Sequence, residues 1–348
     1  MATNQAVEDA RAQHAVPFDS LPDYRRVWNQ ADAGSYTEGL GRLIIVTPEI
    51  IAAASRQCIK SGRRTTVAWN MNQLNVANFN RQPAQHHIVS LLGGLAFDDV
   101  YVFNPQQSSQ WDGLRHFSAP FPSKDGSDSK RLYYGGVEAK EITNRASDRI
   151  GIQHWAQEGI CGRGVLLDYA TYAERHGIKF STFSDHSIPL HVLLDVAKEQ
   201  NNLQFQRGDI LFVRIGLVDE WENKMGDAGR MAYATTKTPQ HAGVEGTIEM
   251  LRWIWDTGFA AVAGDAVSFE VYPPKEEFER EGTHEKVPGL FMHEVLLAGW
   301  GMPIGELFDL EKLSAMCKAE GRWDFFLASA PLNMPGGVSS PPNSIAFF

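Results

Sequence analysis

Residues 206–218 have the sequence QRGDILFVRIGLV, and the fold class follows from this stretch and the segments after it. A turn over 206–209 leads into a strongly apolar run, Ile210–Val218, of the kind that forms a strand buried on both faces. Gly246–Thr257 then shows helical spacing, and a small buried strand follows at Ala260–Ala263. A strand–helix–strand order predicts α/β or α+β architecture with a substantial sheet, and we favour α/β. The residues that share the helical face are Ile248, Leu251, Ile254 and Trp255.

Working outward, the same criteria predict further elements on both sides of this core. Thr47 is a helix N-cap with Pro48 at the first helical position. Strands are expected at Leu43–Val46, 65–74, 97–103 and Phe325–Ala328; helices at Val165–Arg175, Pro189–Asn201 and Leu307–Ala319; and a long loop region at Asn104–Gly136. No boundary divides this pattern. We therefore expect an N-terminal leader and loop region at 1–40 and a single catalytic domain at 41–348.

Composition excludes several classes of protein. The 348 residues include 42 acidic and 32 basic side chains, a net charge of −10, which disfavours binding to a phosphate backbone. No apolar stretch approaches the roughly 18 residues of a membrane span, and the N-terminus lacks the apolar core of a signal peptide. Cys58, Cys161 and Cys317 are too few and too dispersed for a disulfide framework or a zinc ribbon. We expect a cytoplasmic protein whose partner is a small molecule.

The segment SQWDGLRHF at 109–117 carries the clearest chemistry. In an extended conformation Gln110, Asp112 and His116 share one face, with Trp111 and Arg115 opposite. A carboxylate beside an imidazole can orient the ring and hold its proton, as acid–base catalysis requires. The alternative is a surface aspartate and a histidine whose hydrogen bonds are satisfied structurally.

Two later segments add candidates. His293 is a polar residue beside an apolar run, and Glu306 follows a Gly-Met-Pro-Ile-Gly turn, where we expect a helix to begin. A carboxylate there also suits the helix dipole, so simple helix stabilisation is the alternative role for Glu306. Asp265 ends a predicted strand at a loop, a common place for a functional carboxylate, although an Asx turn explains it equally.

Taken together, these segments resemble the cyclase family of metal-dependent hydrolases, which includes kynurenine formamidase and isatin hydrolase. The resemblance runs from about residue 65 to the C-terminus and rests on the order and spacing of several blocks. It implies a mixed β-sheet core of the swivelling β/β/α type with surrounding helices, and a homo-oligomer, either dimer or tetramer. The blocks are QWDGLRHF, LYYGG, IGIQHWAQEGICGRGVLLD, FQRGDILFVRIG, AAVAGDAVSFE, HEVLLAGWGMPIGELFDLEKL and FFLASAPLNMPGGVSSPPNSIAFF.

The family signature, H-x-G-T-H-x-D-x-P-x-H, transfers only in part. Its aspartate falls on Asp112 and its last histidine, the acid/base, on His116, while the downstream metal-site pair falls on His293 and Glu306. Its two metal-binding histidines fall on glutamines, Gln106 and Gln110, so the chain resembles a QWD-type branch with an altered metal motif.

This substitution leaves three possibilities for a cofactor. A glutamine carbonyl oxygen is a weak, hard ligand compared with imidazole. One divalent metal, Mn²⁺, Zn²⁺ or Mg²⁺, can bind through Asp112, His293, Glu306 and an oxygen of Gln110, with the harder Mn²⁺ and Mg²⁺ better suited to the glutamine oxygen. Alternatively, another group replaces the missing ligands, or the site contains no metal.

The resemblance implies hydrolysis of a small-molecule amide, lactam or lactone by water, with His116 as the acid/base and Asp112 and Glu306 as catalytic carboxylates. Gln110, Trp111, Phe117 and Tyr134 are the expected substrate-binding residues. Two alternatives remain open: a metal-independent lyase, dehydratase or cyclase acting on a secondary metabolite, and a catalytically degenerate member that only binds a ligand.

Overall fold

A computed structural model of the chain describes residues 4–28, 32–76, 79, 81–122, 129–280 and 282–348. Its strands in chain order are β1 (Arg64–Thr66), β2 (Gln85–Leu91), β3 (Ala96–Val102), β4 (Gln110–Asp112), β5 (Ala119–Phe121), β6 (Lys130–Leu132), β7 (Ile160–Asp168), β8 (Ser187–Ile188), β9 (Ile210–Arg214), β10 (Gly243–Val244), β11 (Ala261–Gly264), β12 (Glu277–Glu279), β13 (Lys286–Pro288), β14 (Ile304–Glu306), β15 (Asp324–Ser329), β16 (Ser339–Ser340) and β17 (Ser344–Phe347).

The helices lie between and around these strands. The α-helices are Asn4–Gln13, Tyr36–Leu40, Pro48–Cys58, Ala139–Ile142, Gln153–Glu158, Tyr169–Arg175, Leu190–Glu199, Leu217–Asp219, Asp227–Thr235, Ile248–Thr257 and Glu311–Glu320. Short 3₁₀ segments occur at Phe18–Ser20, Gly41–Ile45, Pro105–Gln107 and Tyr134–Gly136, and π-helical turns at Glu220–Lys224 and Glu294–Gly299. Among the residues that the structure describes, no helix is both long and apolar enough to cross a membrane.

A nine-stranded mixed sheet organises the molecule, with strand order β1-β17-β15-β7-β9-β11-β14-β4-β16. The central strands β7, β9, β11 and β14 are parallel, and antiparallel strands extend the sheet on both sides. This confirms the predicted α/β fold with a mixed sheet core. Strand alternation divides the core into two layers: Leu211 and Val213 of β9 pack with helix Ile248–Thr257, while Ile210 and Phe212 face the opposite layer.

Helix caps agree with the sequence at several places. Thr47 accepts a hydrogen bond from the Ile50 amide at 3.3 Å and caps helix Pro48–Cys58. Helix Ile248–Thr257 ends at Gly258, whose φ of 81° places it in the left-handed region that glycine occupies without strain. The helix predicted near Pro189–Asn201 is present as Leu190–Glu199.

Several predicted boundaries are wrong, each for a local reason. The apolar run Leu43–Val46 falls mostly within the 3₁₀ segment Gly41–Ile45, because a short apolar run does not distinguish strand from helix. Residues 165–168 belong to β7, and Asp168 then caps the helix that follows. Strand β9 ends at Arg214, because Gly216 takes a φ of 97°.

The C-terminal half of the predicted site shows a related error. Glu306 ends strand β14 and does not begin a helix; the next helix is Glu311–Glu320. Glu306 is therefore held by sheet pairing, which fixes its position more rigidly than a helix terminus would.

The segment predicted as leader and loops is substantially structured. It contains helix Asn4–Gln13, and Phe18 and Val27 are buried in the core. Indole groups of the core donate to its backbone: Trp255 to the Val16 carbonyl at 2.7 Å and Trp300 to the Tyr24 carbonyl at 2.6 Å. The division at residue 40 remains a prediction, but the described residues before it pack on the rest of the protein.

Candidate active site

The pairing of β4 with β14 assembles the centre of the site. Gln110 lies opposite Glu306 in the register, and its Nε2 donates to Glu306 Oε2 at 2.7 Å. Asp112 is on the same face of β4 as Gln110, as the alternation of strand side chains predicts. All three side chains are almost completely buried. The structure thus brings together three predicted site residues from positions nearly 200 residues apart.

Trp111 projects to the opposite face, into the hydrophobic core. Its ring packs edge-on against Phe308 with the centroids 5.1 Å apart, and its Nε1 donates to Ser329 Oγ at 2.9 Å. Gly305 lies opposite in β14, and a Cβ at that position would be 2.9 Å from the Trp111 ring. Trp111 therefore supports the strand from behind, which corrects the prediction that it contacts substrate.

Tyr134 is also separate from the site. Its ring packs on Gly301, where a Cβ would lie 2.7 Å from it, and the residue is buried in the core layer opposite the site. It borders a small cavity formed with residues of the N-terminal segment. The predicted substrate contact of Tyr134 is corrected for this reason.

His116 reaches the centre by a turn, not by an extended strand. Its amide donates to the Gly113 carbonyl at 2.9 Å, so β4 ends at Asp112 and the chain folds back. The turn places His116 Nε2 3.7 Å from Asp112 Oδ2, and Gln106 Nε2 3.5 Å from His116 Nδ1. Burial lowers the pKa of His116 despite the opposing effect of Asp112, which favours the neutral imidazole. The predicted pairing of Asp112 with His116 is present through a different local conformation.

His293, at the start of the π-helical turn Glu294–Gly299, is surrounded by carboxylates. Its Nδ1 lies 2.9 Å from both Glu270 oxygens, and its backbone amide donates to Glu270 Oε1 at 2.8 Å. Its Nε2 is 3.1 Å from Glu306 Oε1 and 3.8 Å from Asp112 Oδ2. Burial lowers the pKa of His293, but the three carboxylates outweigh it and hold that pKa well above its usual value.

The carboxylates respond in opposite directions. Burial raises the pKa of Asp112, but His116 and His293 more than compensate and leave it lowered. Burial and the neighbouring Asp112 charge raise the pKa of Glu306 to about 7. Groups with divergent pKa values in one cleft are typical of acid–base sites.

Glu270 was missed as a site residue by sequence reasoning. It lies in the block AAVAGDAVSFE, in which the sequence indicates Asp265, the carboxylate at the end of the predicted strand, as the candidate. Asp265 instead accepts backbone hydrogen bonds from Ile215, Gly216 and Leu217 at 2.6, 2.7 and 3.2 Å. Asp265 stabilises the turn after β9, whereas Glu270 fixes the orientation of His293.

Asp112, His293 and Glu306 form a cluster that can hold a metal ion. Each offers a ligand atom within 4.8 Å of the others. Asp112 Oδ2 and the carbonyl Oε1 of Gln110 are buried without a hydrogen-bond partner in the described part of the chain. Two orphaned acceptor oxygens beside a carboxylate and an imidazole fit a hard divalent cation better than zinc. These four residues are the ones on which the family resemblance placed a metal, and their role as ligands stays a prediction.

A cavity of about 420 Å³ opens onto these groups. Phe117, a predicted substrate contact, lines it with His116, His293 and Glu306. Its other lining residues were not singled out in the sequence: Phe79, Arg81, His241, Val267, Ser268, Tyr272 and Phe291. They are scattered between residues 79 and 291, and no single short motif contains them.

A larger cavity of about 580 Å³ lies beside helix Tyr169–Arg175, but it contains no predicted site residue. Its guanidinium, Arg214, is already paired with Asp168 and Glu311, each at 2.7 Å. We therefore assign the candidate site to the cavity that holds His116.

A mixed-sheet α/β protein with an acid–base cleft beside a buried Asp/His/Glu cluster has the fold and site typical of an enzyme. More particularly, residues 37–271 match the family model described as "Putative cyclase", and the chain belongs to this family. The matched range includes Asp112, His116 and Glu270. Among curated proteins, none matches significantly.

Solved structures support the fold. A crystal structure of a novel cyclase is 27% identical with a TM-score of 0.71, over 90% of this chain and 97% of that one. Isatin hydrolase A from Labrenzia aggregata is 12% identical with a TM-score of 0.54, over 86% and 97% of the two chains. Isatin hydrolase A from Ralstonia solanacearum is 14% identical with a TM-score of 0.54, over 86% and 95%. The last two comparisons show a shared fold.

Proposed function

We propose that the protein hydrolyses an amide, lactam or lactone bond of a small molecule, with His116 as general base and then general acid. The observation that carries this proposal is the position of the His116 imidazole, on the wall of the cavity and 3.7 Å from the buried Asp112 carboxylate; burial lowers its pKa and so favours the unprotonated ring. A base must be unprotonated and near its partner carboxylate to accept a proton from water.

The proposed reaction begins with a substrate carbonyl in the cavity and a water molecule beside His116. His116 accepts a proton as the water oxygen attacks the carbonyl carbon, and Asp112 stabilises the imidazolium that forms. The C–N or C–O acyl bond then breaks, and His116 returns the proton to the leaving nitrogen or oxygen. The products are a carboxylic acid and an amine or alcohol, which remain parts of one molecule when the substrate is a lactam or lactone.

The remaining charged groups define where a cofactor can act. Asp112, Glu306, His293 and the Gln110 carbonyl would hold a divalent cation, which supplies Lewis acidity toward a carbonyl when bound. Glu270 fixes the ring of His293 through Nδ1, the arrangement by which an outer carboxylate orients a ligating imidazole.

Turnover in ¹⁸O-labelled water tests the reaction class. We would offer anilides, lactams, lactones and aryl esters and analyse products by mass spectrometry. Hydrolysis predicts one ¹⁸O in the acid product. Turnover without incorporation would contradict it and favour the lyase or dehydratase alternative; ligand binding without any turnover would favour a degenerate member.

Removal of divalent cations is expected to lower turnover at least about tenfold, because the loss of an outer-shell partner alone typically costs about 10- to 100-fold at metal sites. Since a cation at His293 Nε2 must displace a proton, metal affinity should also fall as the pH is lowered. The measurement is elemental analysis of protein purified without chelator, followed by activity before and after chelation and after addition of Mn²⁺ or Mg²⁺. Asp112→Asn should abolish the response to added metal; full activity in exhaustively chelated protein would contradict the metal part of the proposal.

We further propose that the protein is a homo-oligomer and that the β2–β3 hairpin contacts a second copy. Every residue of both strands is exposed, so the ribbon packs on the body through neither face. An isolated two-stranded hairpin is at best marginally stable. Its large exposed apolar side chains are Ile88, Val89, Leu91, Leu92, Leu95, Phe97, Val100, Tyr101 and Val102.

These side chains present on the order of 900 Å² of surface, similar to the roughly 800 Å² that each partner contributes to a standard interface. The double variant Leu92→Glu/Leu95→Glu, at the most exposed positions of 79% and 84%, should convert a dimer or larger assembly into monomers. Light scattering after size exclusion measures this, with Met231→Glu at a 55% exposed position as the control. A monomeric wild-type protein, or an unchanged assembly in the double variant, would contradict the assignment.

A further inference from the structure

Arg81 lines the candidate active site and has no carboxylate partner. Its Nη1 donates to the backbone carbonyl of Gln106 at 3.2 Å, and its guanidinium carbon lies 5.0 Å from the centroid of the Phe79 ring. Within residues 4–28, 32–76, 79, 81–122, 129–280 and 282–348, no acidic side chain lies within ion-pair distance of it. An arginine that faces a cavity with unused donors is suited to a planar anion, which it can bind through two parallel hydrogen bonds.

The carboxylates Glu270 and Glu306 form no ion pair with Arg81, because their oxygens make hydrogen bonds to other residues. Glu306 is engaged by Gln110 at 2.7 Å and by His293 at 3.1 Å. Glu270 is bound by His293 through both of its oxygens. Both carboxylates therefore make their hydrogen bonds to other groups, and among the described residues that line the cavity Arg81 is the one cationic side chain apart from histidines.

His241 provides a second, independent observation on the same cavity. It is completely buried, and Nδ1 has no hydrogen-bond partner in the described part of the chain. Its Nε2 lies 3.1 Å from the Tyr233 hydroxyl. When that hydroxyl donates to Nε2, Nδ1 carries an unused N–H donor, and a buried donor of this kind calls for an acceptor.

Aromatic side chains form the adjacent wall. Phe117 and Phe291 meet edge-to-face with centroids 4.9 Å apart, and Phe79 packs in the same manner on Tyr272 at 5.7 Å. Such walls favour an apolar or aromatic body over a strongly hydrated one.

We propose that the substrate carries a carboxylate, or an equivalent planar anion, on an apolar or aromatic body, and that Arg81 and His241 bind this group. That the ligand is a substrate rests on the proposed hydrolase function, but binding of the anion can be measured without turnover. Attraction to Arg81 orients such a molecule, so that the anion lies at the guanidinium and the acyl group remains free to reach His116.

Calorimetric titration with 3-phenylpropanoate and with 3-phenylpropanamide tests this directly, since the two probes differ only in charge and hydrogen bonding. The wild-type protein should bind the carboxylate at least about tenfold more tightly than the amide, and added salt should reduce the difference. Arg81→Met should remove the preference and leave the amide affinity unchanged, while Arg81→Lys should retain part of it.

Arg131→Met is the matched control. The guanidinium carbon of Arg131 lies 5.8 Å from the centroid of the Phe117 ring, but Arg131 does not line the cavity and is paired with Glu294. It should retain the wild-type preference. Equal affinities in the wild type, no saturable binding of the carboxylate, or a preference that survives in a folded Arg81→Met protein would each overturn the proposal. Because this readout is binding, preference for the carboxylate without hydrolysis would overturn the proposed function alone.

Once a substrate is known, steady-state kinetics separate anion binding from a role in the reaction. Arg81→Met should raise KM for the anionic substrate with little change in kcat, since the interaction is made equally in the ground and transition states. A fall in kcat at unchanged KM would instead place the guanidinium at the reacting carbonyl and overturn the assignment.

Discussion

Replacement of His116 with alanine is expected to lower kcat/KM by about 10²- to 10⁴-fold, the usual contribution of a general acid–base group. The effect should be on catalysis and not on folding, because the side chain is one-fifth exposed and no close hydrogen bond holds it: Gln106 Nε2 is 3.5 Å away and Asp112 Oδ2 is 3.7 Å away. Its removal opens the cavity wall without cutting a dense network. The measurement is steady-state turnover on any substrate identified in the labelled-water screen, with thermal unfolding as the check on stability.

Two controls make this result specific. His191→Ala removes an exposed imidazole outside the cavity and should keep wild-type activity. His116→Gln retains a polar side chain of similar length but cannot accept and return a proton near neutral pH, so it should be nearly as inactive as alanine. Substantial turnover in both His116 variants would show that another group moves the proton.

The fold was predictable where one local signal dominated. The apolar run at β9 and the capped helix Ile248–Thr257 required no long-range information, and both appear in the structure. The predicted ends of strands and helices were wrong where a tertiary contact determines them. The end of β9 depends on Asp265, 50 residues away, which binds the amides of the turn. The same limit applies to Glu306, whose strand exists because it pairs with β4.

The site was predictable to the extent that its residues share a motif. The alternation of Gln110, Trp111 and Asp112 is a property of any strand, so the grouping of Gln110 with Asp112 followed from spacing. The role of Trp111 did not follow from spacing, because an aromatic side chain can contact either a substrate or the hydrophobic core. The positions of Gly305 and Phe308, which the sequence does not reveal, place Trp111 in the core. Arg81 lies in a segment without a motif, and Glu270 lies in a block where Asp265 was the candidate; only the folded chain brings Arg81 to the cavity and Glu270 to His293.

Replacement of His293 with glutamine is expected to cause the largest combined loss, affecting both turnover and stability. His293 is the cation between Glu270, at 2.9 Å, and Glu306, at 3.1 Å, with Asp112 Oδ2 at 3.8 Å. Removing one partner of a buried charged cluster leaves uncompensated carboxylates and typically costs about 3–5 kcal/mol of unfolding free energy. Denaturant unfolding of the chelated protein measures this cost, and elemental analysis shows whether the variant still retains a cation.

The double variant Glu270→Gln/His293→Gln separates the structural from the chemical role of the histidine. Removal of the Glu270 charge together with the imidazolium should restore a large part of the unfolding free energy, because fewer buried charges are then left unpaired. Turnover should remain at least about 10³-fold below wild type, since the restored packing supplies neither a cation nor a metal ligand. An unstable double variant, or a single variant with wild-type stability, would contradict this prediction. Either result would show that pairing with His293 does not determine the energetic cost of the buried carboxylates. Recovery of activity in the double variant would remove His293 from the catalytic machinery.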